Sequence, residues 1–233
     1  PAQNSMGRIA VSLASEFNRQ HTLGMDLAGA AGLDYFAISS PQSASSSANS
    51  GTATISVSFD AASMGSLTTD DYVLGFKGAA WSLNRVSDNQ AVAMTGSGSA
   101  ADPVMVDGLS IESAGGAAAG DRFQIRPTRS GSSDMDLLIA DPREIAAAAP
   151  AAAAAPGDNS NALLLAGLQS GQTMENSTTN FQGAYGQLIG KLGVQTRSAQ
   201  ITAEAQGALL LQAQASRDNL SGVNLDEEAA DLI

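Results

Sequence analysis

TATISVSF, residues 52–59, decides the fold. Ala53, Ile55, Val57 and Phe59 fall on one side of an extended chain, and Thr or Ser residues on the other. Successive side chains of a strand point to opposite faces, so this period of two predicts a half-buried strand. Upstream the period is different. MGRIAVSLASEFNRQH (6–21) spaces Ile9, Leu13 and Phe17, with Met6 before them, by threes and fours, which predicts an amphipathic helix over residues 5–21. Beyond Asn161 the three-and-four period returns. The two ends of the chain are therefore expected to be helical, with a β domain inserted between them.

Turn chemistry organises the middle. DYVLGFKGAAWSLNRV (71–86) predicts two strands, with Tyr72, Leu74 and Phe76 on one, Trp81 and Leu83 on the next, and Gly78 in the turn. PVMVDGLSIES (103–113) predicts a hairpin, because Asp107-Gly108 suits a two-residue turn with positive φ at both positions. DRFQIRPT (121–128) and DLLIAD (136–141) bring the expectation to seven or eight short antiparallel strands, arranged as a sandwich or a barrel.

Composition marks the connections. SSPQSASSSANSG (39–51) has the small polar make-up of a flexible surface connection, and a domain boundary is placed there. REIAAAAPAAAAAP (143–156) predicts a short alanine helix and then a connector, since Pro150 and Pro156 forbid one continuous helix. NALLLAGLQ (161–169) predicts another helix. After it, Phe181, Tyr185, Leu188, Leu192, Gln195, Ala199, Thr202, Gln206, Leu209 and Ala213 trace a heptad seam along a helix of about 40 residues. Gly183, Gly186, Gly190, Gly193 and Gly207 each weaken that helix by about 1 kcal/mol relative to Ala, so it needs partner helices. The expected fold is α+β and multi-domain: residues 1–40 and 157–233 form a discontinuous helical core, a helical bundle or coiled coil in which the opening helix packs on the closing ones, and 41–156 form the inserted β domain with its linkers.

Charge and composition exclude several functions. The 233 residues carry 11 Lys and Arg against 23 Asp and Glu, a net charge of −12, which repels phosphate backbones and anionic membrane surfaces. There is no cysteine and hence no thiolate chemistry. No run of 18 or more apolar residues and no basic, then apolar, leader is visible. Pro1 in place of an initiator Met suggests a processed or cut chain.

Catalytic candidates are few, and no enzyme activity is expected. His21 falls just past the first helix and is expected to be solvated or to cap it. GSGSAA (96–101) has the spelling of a dinucleotide loop but is followed by Asp102-Pro103 where a helix should begin, so it is a loop. Asp134 and Asp136 supply too few oxygens for a hard cation and are expected in a solvated turn. Neither a metal nor a cofactor is implied. Trp81 and Tyr72 could form an aromatic platform for a glycan or host ligand, although both alternate with apolar neighbours as core residues do.

SGVNLDEEAADLI (221–233) ends the chain on a helix start. Asn224 can cap it, Glu227 can complete a capping box, and Asp226, Glu227 and Glu228 place negative charge in the first turn. Leu225, Ala229, Leu232 and Ile233 supply an apolar stripe. Only about nine residues follow the cap, fewer than the roughly 12–15 an isolated helix needs.

This segment resembles the signature that opens the C-terminal helix of the flagellar hook-associated protein 1 family, where more helix follows. LASEFNRQHTLGMDLAGAAGLDYF (13–36) is similar to the family's helix and its glycine-rich sequel, and 71–86, 107–128 and 157–169 to its middle β domain and its return to helix. The acidic ending alone is shared with other axial proteins of hook and rod; the combined order of motifs is narrower. The resemblance implies a structural subunit in a ring that joins hook to filament. Its partners would be its own copies, the hook protein, the second junction protein and an export chaperone, and it would lie outside the cell after export without a cleaved signal. Leu188, Leu192, Leu209, Asn224, Leu225, Asp226, Glu227, Glu228, Leu232 and Ile233 are the expected helix-packing residues. The N-terminal helix that pairs with the C-terminal one in the family has no counterpart here, so the isolated chain is expected to be a monomer.

Overall fold

A computed structural model describes residues 2–150 and 157–221. They fall in two compact units, one running to Leu188 and one starting at Ile189.

The first unit opens with helix α1 (Ala2–His21). Its buried positions include Asn4, Gly7, Val11, Ala14, Asn18 and His21, which recur by threes and fours, and apart from the core residue Val11 they are small or polar. The expected stripe of Met6, Ile9, Leu13 and Phe17 is its flank: Met6 is exposed, and Ile9 and Leu13 pack on a small separate cluster of Met174, Phe181 and Ala184. The reason is close approach. A Cβ at Gly7 would collide with the Thr128 carbonyl oxygen, so the helix meets the 128–131 turn backbone to backbone. Asn4 donates to the Thr69 carbonyl at 3.0 Å and to Asp71 at 2.9 Å, which satisfies a buried amide along the same face.

Ten strands follow. β1 (Phe36–Ala37) pairs with β10 (Asp136–Leu137) in a two-stranded ladder. β2 (Gln42–Ser45), β4 (Tyr72–Phe76), β5 (Trp81–Arg85), β6 (Ala91–Val92) and β9 (Arg122–Arg126) make a five-stranded sheet in the order β2-β9-β4-β5-β6. β3 (Thr54–Phe59), β7 (Val104–Val106) and β8 (Leu109–Ala114) make a three-stranded sheet in the order β3-β8-β7. Every ladder is antiparallel. The two larger sheets share one core: Val57, Val104, Leu109 and Ile111 come from one, and Tyr72, Leu74, Leu83, Phe123 and Ile125 from the other. The alternation expected for 52–59 holds, with Val57 buried and Thr54, Ser56 and Ser58 exposed. Asp107 and Gly108 form the expected hairpin turn, at φ +47° and +78°.

Several expectations are corrected. Residues 42–45, assigned to a flexible connection, form β2 along the edge of the five-stranded sheet. All four are exposed Ser, Ala or Gln, so the strand carries no apolar alternation to betray it. Tyr72 is 1 % exposed, and Trp81 packs at an angle against Phe76, with ring centroids 5.0 Å apart, and edge-on against Phe123 at 5.9 Å, so the two form no open aromatic platform. Residues 145–150, after the short 3-10 turn Pro142–Glu144, are not helical, and residues 151–156 of the alanine run lie outside the described residues. Ala148 instead bridges Met25, giving and receiving backbone hydrogen bonds of 3.1 and 3.0 Å. Here alanine serves by its small size, since Ala146 is fully buried and Gly24 and Gly32 close in around it.

Helix α2 (Ser160–Gly167) appears where NALLLAGLQ predicted one, but it buries Asn161 and leaves Leu163 and Leu164 exposed. Helix α3 (Phe181–Ser221) runs 41 residues, roughly 60 Å at 1.5 Å per residue. The architecture is α+β with antiparallel sheets.

Candidate assembly surface

α3 carries the expected packing residues that lie among the described ones. Within the first unit Phe181, Ala184 and Leu188 are buried, spaced three and four, while Tyr185 is exposed. Leu188 is thus a core residue at 7 % exposure. In the second unit every side chain from Ile189 to Asn219 is exposed. Leu192 and Leu209 are 43 % and 64 % exposed, and Ile189, Val194, Ile201, Leu210 and Leu211 are open to solvent as well. Leu209, Leu210 and Leu211 are consecutive, so they splay about 100° apart rather than forming one seam. Asn224, Leu225, Asp226, Glu227, Glu228, Leu232 and Ile233 lie outside the described residues.

The turn that leads into α3 is unusual. Glu175, Asn176 and Ser177 are three successive non-glycine residues with φ of +52°, +55° and +65°. Left-handed backbone costs a side-chain-bearing residue on the order of 1 kcal/mol each, so the surroundings must hold it. Arg8 of α1 pairs with Glu175 at 2.9 Å, with the arginine side chain 13 % exposed. The Asn176 N–H donates to the Gly65 carbonyl at 2.8 Å, and the Thr178 hydroxyl to the Glu175 carbonyl at 2.7 Å.

At the other end of α1 a polar junction joins four segments. His21, expected in solvent or as a cap, is fully buried. Its Nδ1 lies 2.6 Å from the Leu33 carbonyl and its Nε2 accepts the Ala146 N–H at 2.9 Å. Both contacts are satisfied at once only by the neutral ring carrying its proton on Nδ1. Asn161 of α2 donates to the Ala146 carbonyl at 2.6 Å and accepts from Gln20 at 2.6 Å. Asn18 accepts from Tyr35 and Phe36 N–H, both at 2.9 Å, and donates to the Phe36 carbonyl at 2.7 Å. Buried polar groups must be paired, and these side chains pair with backbone that no strand or helix serves. No local pattern announces them, because their partners are remote in sequence.

Two carboxylates serve loops in the same way. Asp121, 2 % exposed, accepts from the N–H groups of Ala118, Ser50 and Gly51, and these bonds hold its carboxyl below the usual carboxylate range. Asp158 is likewise lowered, by the Ser160 hydroxyl and by the N–H groups of Ala149 and Ser160. Among the described residues no cluster of three His, Asp or Glu could hold a metal, and no helix is long and apolar enough to cross a membrane.

The described residues thus make an α+β chain whose buried polar side chains fix loops and whose longest helix, α3, carries apolar side chains exposed to solvent. Residues 1–36 match the family domain described as the flagellar hook-associated protein FlgK helical domain, and residues 44–127 the flagellar hook-associated protein 1, D2-like domain. Flagellar hook-associated protein 1 of Escherichia coli K12 is 32% identical over 230 residues, and that of Salmonella typhimurium 31% over 235; each alignment takes in 99% of this chain. The chain belongs to the flagellar hook-associated protein 1 family. It spans 41% and 42% of the length of those relatives. The flagellar hook junction protein FlgK from Burkholderia pseudomallei shares the fold, with a TM-score of 0.82 at 24% identity over 96% of this chain and 60% of that one.

Proposed function

We propose that this chain is a stretch of a non-enzymatic structural subunit that joins hook to filament in the bacterial flagellum. The observation that carries the proposal is identity of 32% sustained over 99% of the chain with a hook-associated protein 1. The fold shared with the Burkholderia hook junction protein supports it. The subunits would form an adaptor ring outside the cell, reached by export without a cleaved signal. They would contact their own copies, the hook protein and the second junction protein, and an export chaperone before assembly. In this scheme residues 1–40 and 157–233 make one helical domain and 41–156 the inserted β domain.

Leu192 and Leu209 are then contact residues, since each is exposed and burial of one leucine against a neighbour contributes about 1.5–3 kcal/mol. Asn224, Leu225, Asp226, Glu227, Glu228, Leu232 and Ile233, outside the described residues, are proposed as further contact residues. Leu188 acts differently, holding the base of α3 inside its own subunit.

The test is electron microscopy of cells lacking the full gene, with flagellin measured in the medium. Bare hooks and shed flagellin are expected. Intact filaments would overturn the junction role.

A further inference from the structure

The outer face of the five-stranded sheet carries a feature that a structural role leaves unused. β4, β5 and β9 stand side by side, and their register puts Ser82, Gly75 and Arg122 in one row and Asn84, Val73 and Gln124 in the next. The inner neighbours Leu74, Leu83 and Phe123 are core, so these rows face outward. Glycine in the middle of a strand weakens it and often marks a place where another molecule comes close. Gly75 does so here: with no side chain between Ser82 and Arg122, the row is open at its centre. The result is a groove of about 430 Å³ over Val73, Gly75, Ser82 and Asn84, with Lys77 and Arg122 on its rim. That volume lies within the range of small-molecule sites.

The charges in the groove point one way. Among the described residues neither Lys77 nor Arg122 is in an ion pair, although the chain carries net charge −12. The carboxylate of Asp121 also borders the groove, but its oxygens are held by three backbone N–H groups and it forms no ion pair with either cation, so the site keeps a local excess of one positive charge. The floor is polar and neutral. The Ser82 hydroxyl donates to the Gly75 carbonyl at 3.2 Å and can still accept, and Asn84, whose amide nitrogen donates to the Asn89 carbonyl at 3.0 Å, keeps its amide oxygen as an acceptor. Val73 adds a short apolar strip. Two cations beside hydroxyl-sized hydrogen-bonding groups and a short apolar strip match a ring that bears a carboxylate, hydroxyls and a C–H face.

We propose that this groove binds a carboxylate-bearing sugar of the hexuronate or sialic acid type, with its carboxylate between Lys77 and Arg122 and its hydroxyls on Ser82 and Asn84. The site lies on the face opposite Tyr72, so it owes nothing to the aromatic residues of the core. It stands independently of the junction role.

The experiment is an amide-shift titration of the isotopically labelled whole chain with galacturonate and with N-acetylneuraminate, at matched ionic strength. Shifts confined to residues around 73–77, 82–84 and 120–122 are expected, saturating with at least one of the two acids. Lys77→Gln, in an exposed turn, should leave the unliganded spectrum otherwise unchanged and weaken binding roughly ten-fold, the scale of one charge-assisted contact. Gly75→Val, which fills the floor, should abolish binding; a circular-dichroism melt verifies that this variant is folded. Absence of saturable shifts, equal shifts with neutral galactose, or the same shifts with sulfate alone would overturn the proposal. So would tighter binding of a glutamate-rich peptide, which would make the groove a protein contact.

Discussion

The ring nitrogen Nε2 of His21 accepts the backbone N–H of Ala146 at 2.9 Å, between residues 125 apart in the chain. With Nδ1 on the Leu33 carbonyl, the one histidine of the sequence fastens the alanine strap and the 23–33 loop to the end of α1. His21→Phe keeps an aromatic ring but strands a buried donor and a buried acceptor. Each orphan costs about 1–3 kcal/mol, so thermal unfolding should show a loss of roughly 2–6 kcal/mol. A melt unchanged from the parent would mean that water replaces the ring.

Tyr72 supplies a pH dependence. Burial, reinforced by its hydrogen bond of 2.7 Å to Asp107 and opposed by the one with Thr68, raises its phenol well above the usual value. A raised folded value means that the folded state holds the proton while the unfolded state releases it near pH 10. The associated stability is complete below about pH 10 and is lost as pH rises beyond, by up to about 1.4 kcal/mol per pH unit. Denaturant midpoints between pH 8 and 11 should bend downward above 10. Tyr72→Phe should remove its part of that bend and cost about 1–2 kcal/mol at neutral pH, because Asp107 loses its donor. A wild-type profile that stays level above pH 10 would contradict the assignment.

Two glycines in helices should respond with opposite signs. Gly7→Ala drives a methyl into the Thr128 carbonyl and should destabilise by about 1–3 kcal/mol despite the better helix propensity of alanine. At Gly190 a methyl meets nothing within 4 Å, so Gly190→Ala should raise helix stability by about 1 kcal/mol, read as increased helical circular dichroism. The same sign for both would show that α1 does not sit on the 128–131 turn.

Leu188 and Leu209 should separate just as clearly. Leu188→Asp puts a charge at a position 7 % exposed and should cost at least about 2 kcal/mol. Leu209→Asp, at 64 % exposure, should change the melt of the isolated chain by less than about 0.5 kcal/mol. Comparable losses would mean that Leu209 is already covered.

Local chemistry made part of this fold readable. Alternation marked β3, and Asp107-Gly108 fixed the β7–β8 turn, because a two-residue hairpin accepts few other pairs. β2 was hidden because an exposed edge strand needs no apolar face. The alanine strap misled for a different reason: propensity favours helix, yet tertiary contacts use the small side chain to bring backbones together at Ala146. In α1 and α2 the bulky apolar residues Met6, Leu163 and Leu164 are exposed while the polar Asn18, His21 and Asn161 are buried. The heptad pattern gave the extent of α3, but covered positions end at Leu188, and no period of three and four distinguishes a residue that meets its own subunit from one that faces solvent.

The left-handed turn at 175–177 also bears on how the chain folds. Arg8 and Glu175 are 167 residues apart, so the part of the turn's strain that their pair offsets is recovered only after the first helix and the segment before α3 have met. α1 is the first element of the chain, yet its flank at Ile9 and Leu13 is completed by Met174, Phe181 and Ala184. Such high contact order places closure late and makes it cooperative, since the ordering entropy of the intervening chain is spent before the contact forms. In pulse-labelling hydrogen exchange during refolding, the amides of α1 should gain protection together with residues 174–188 and after the β7–β8 hairpin. The first helix thus acts as a closing latch for its unit, although it leads the sequence.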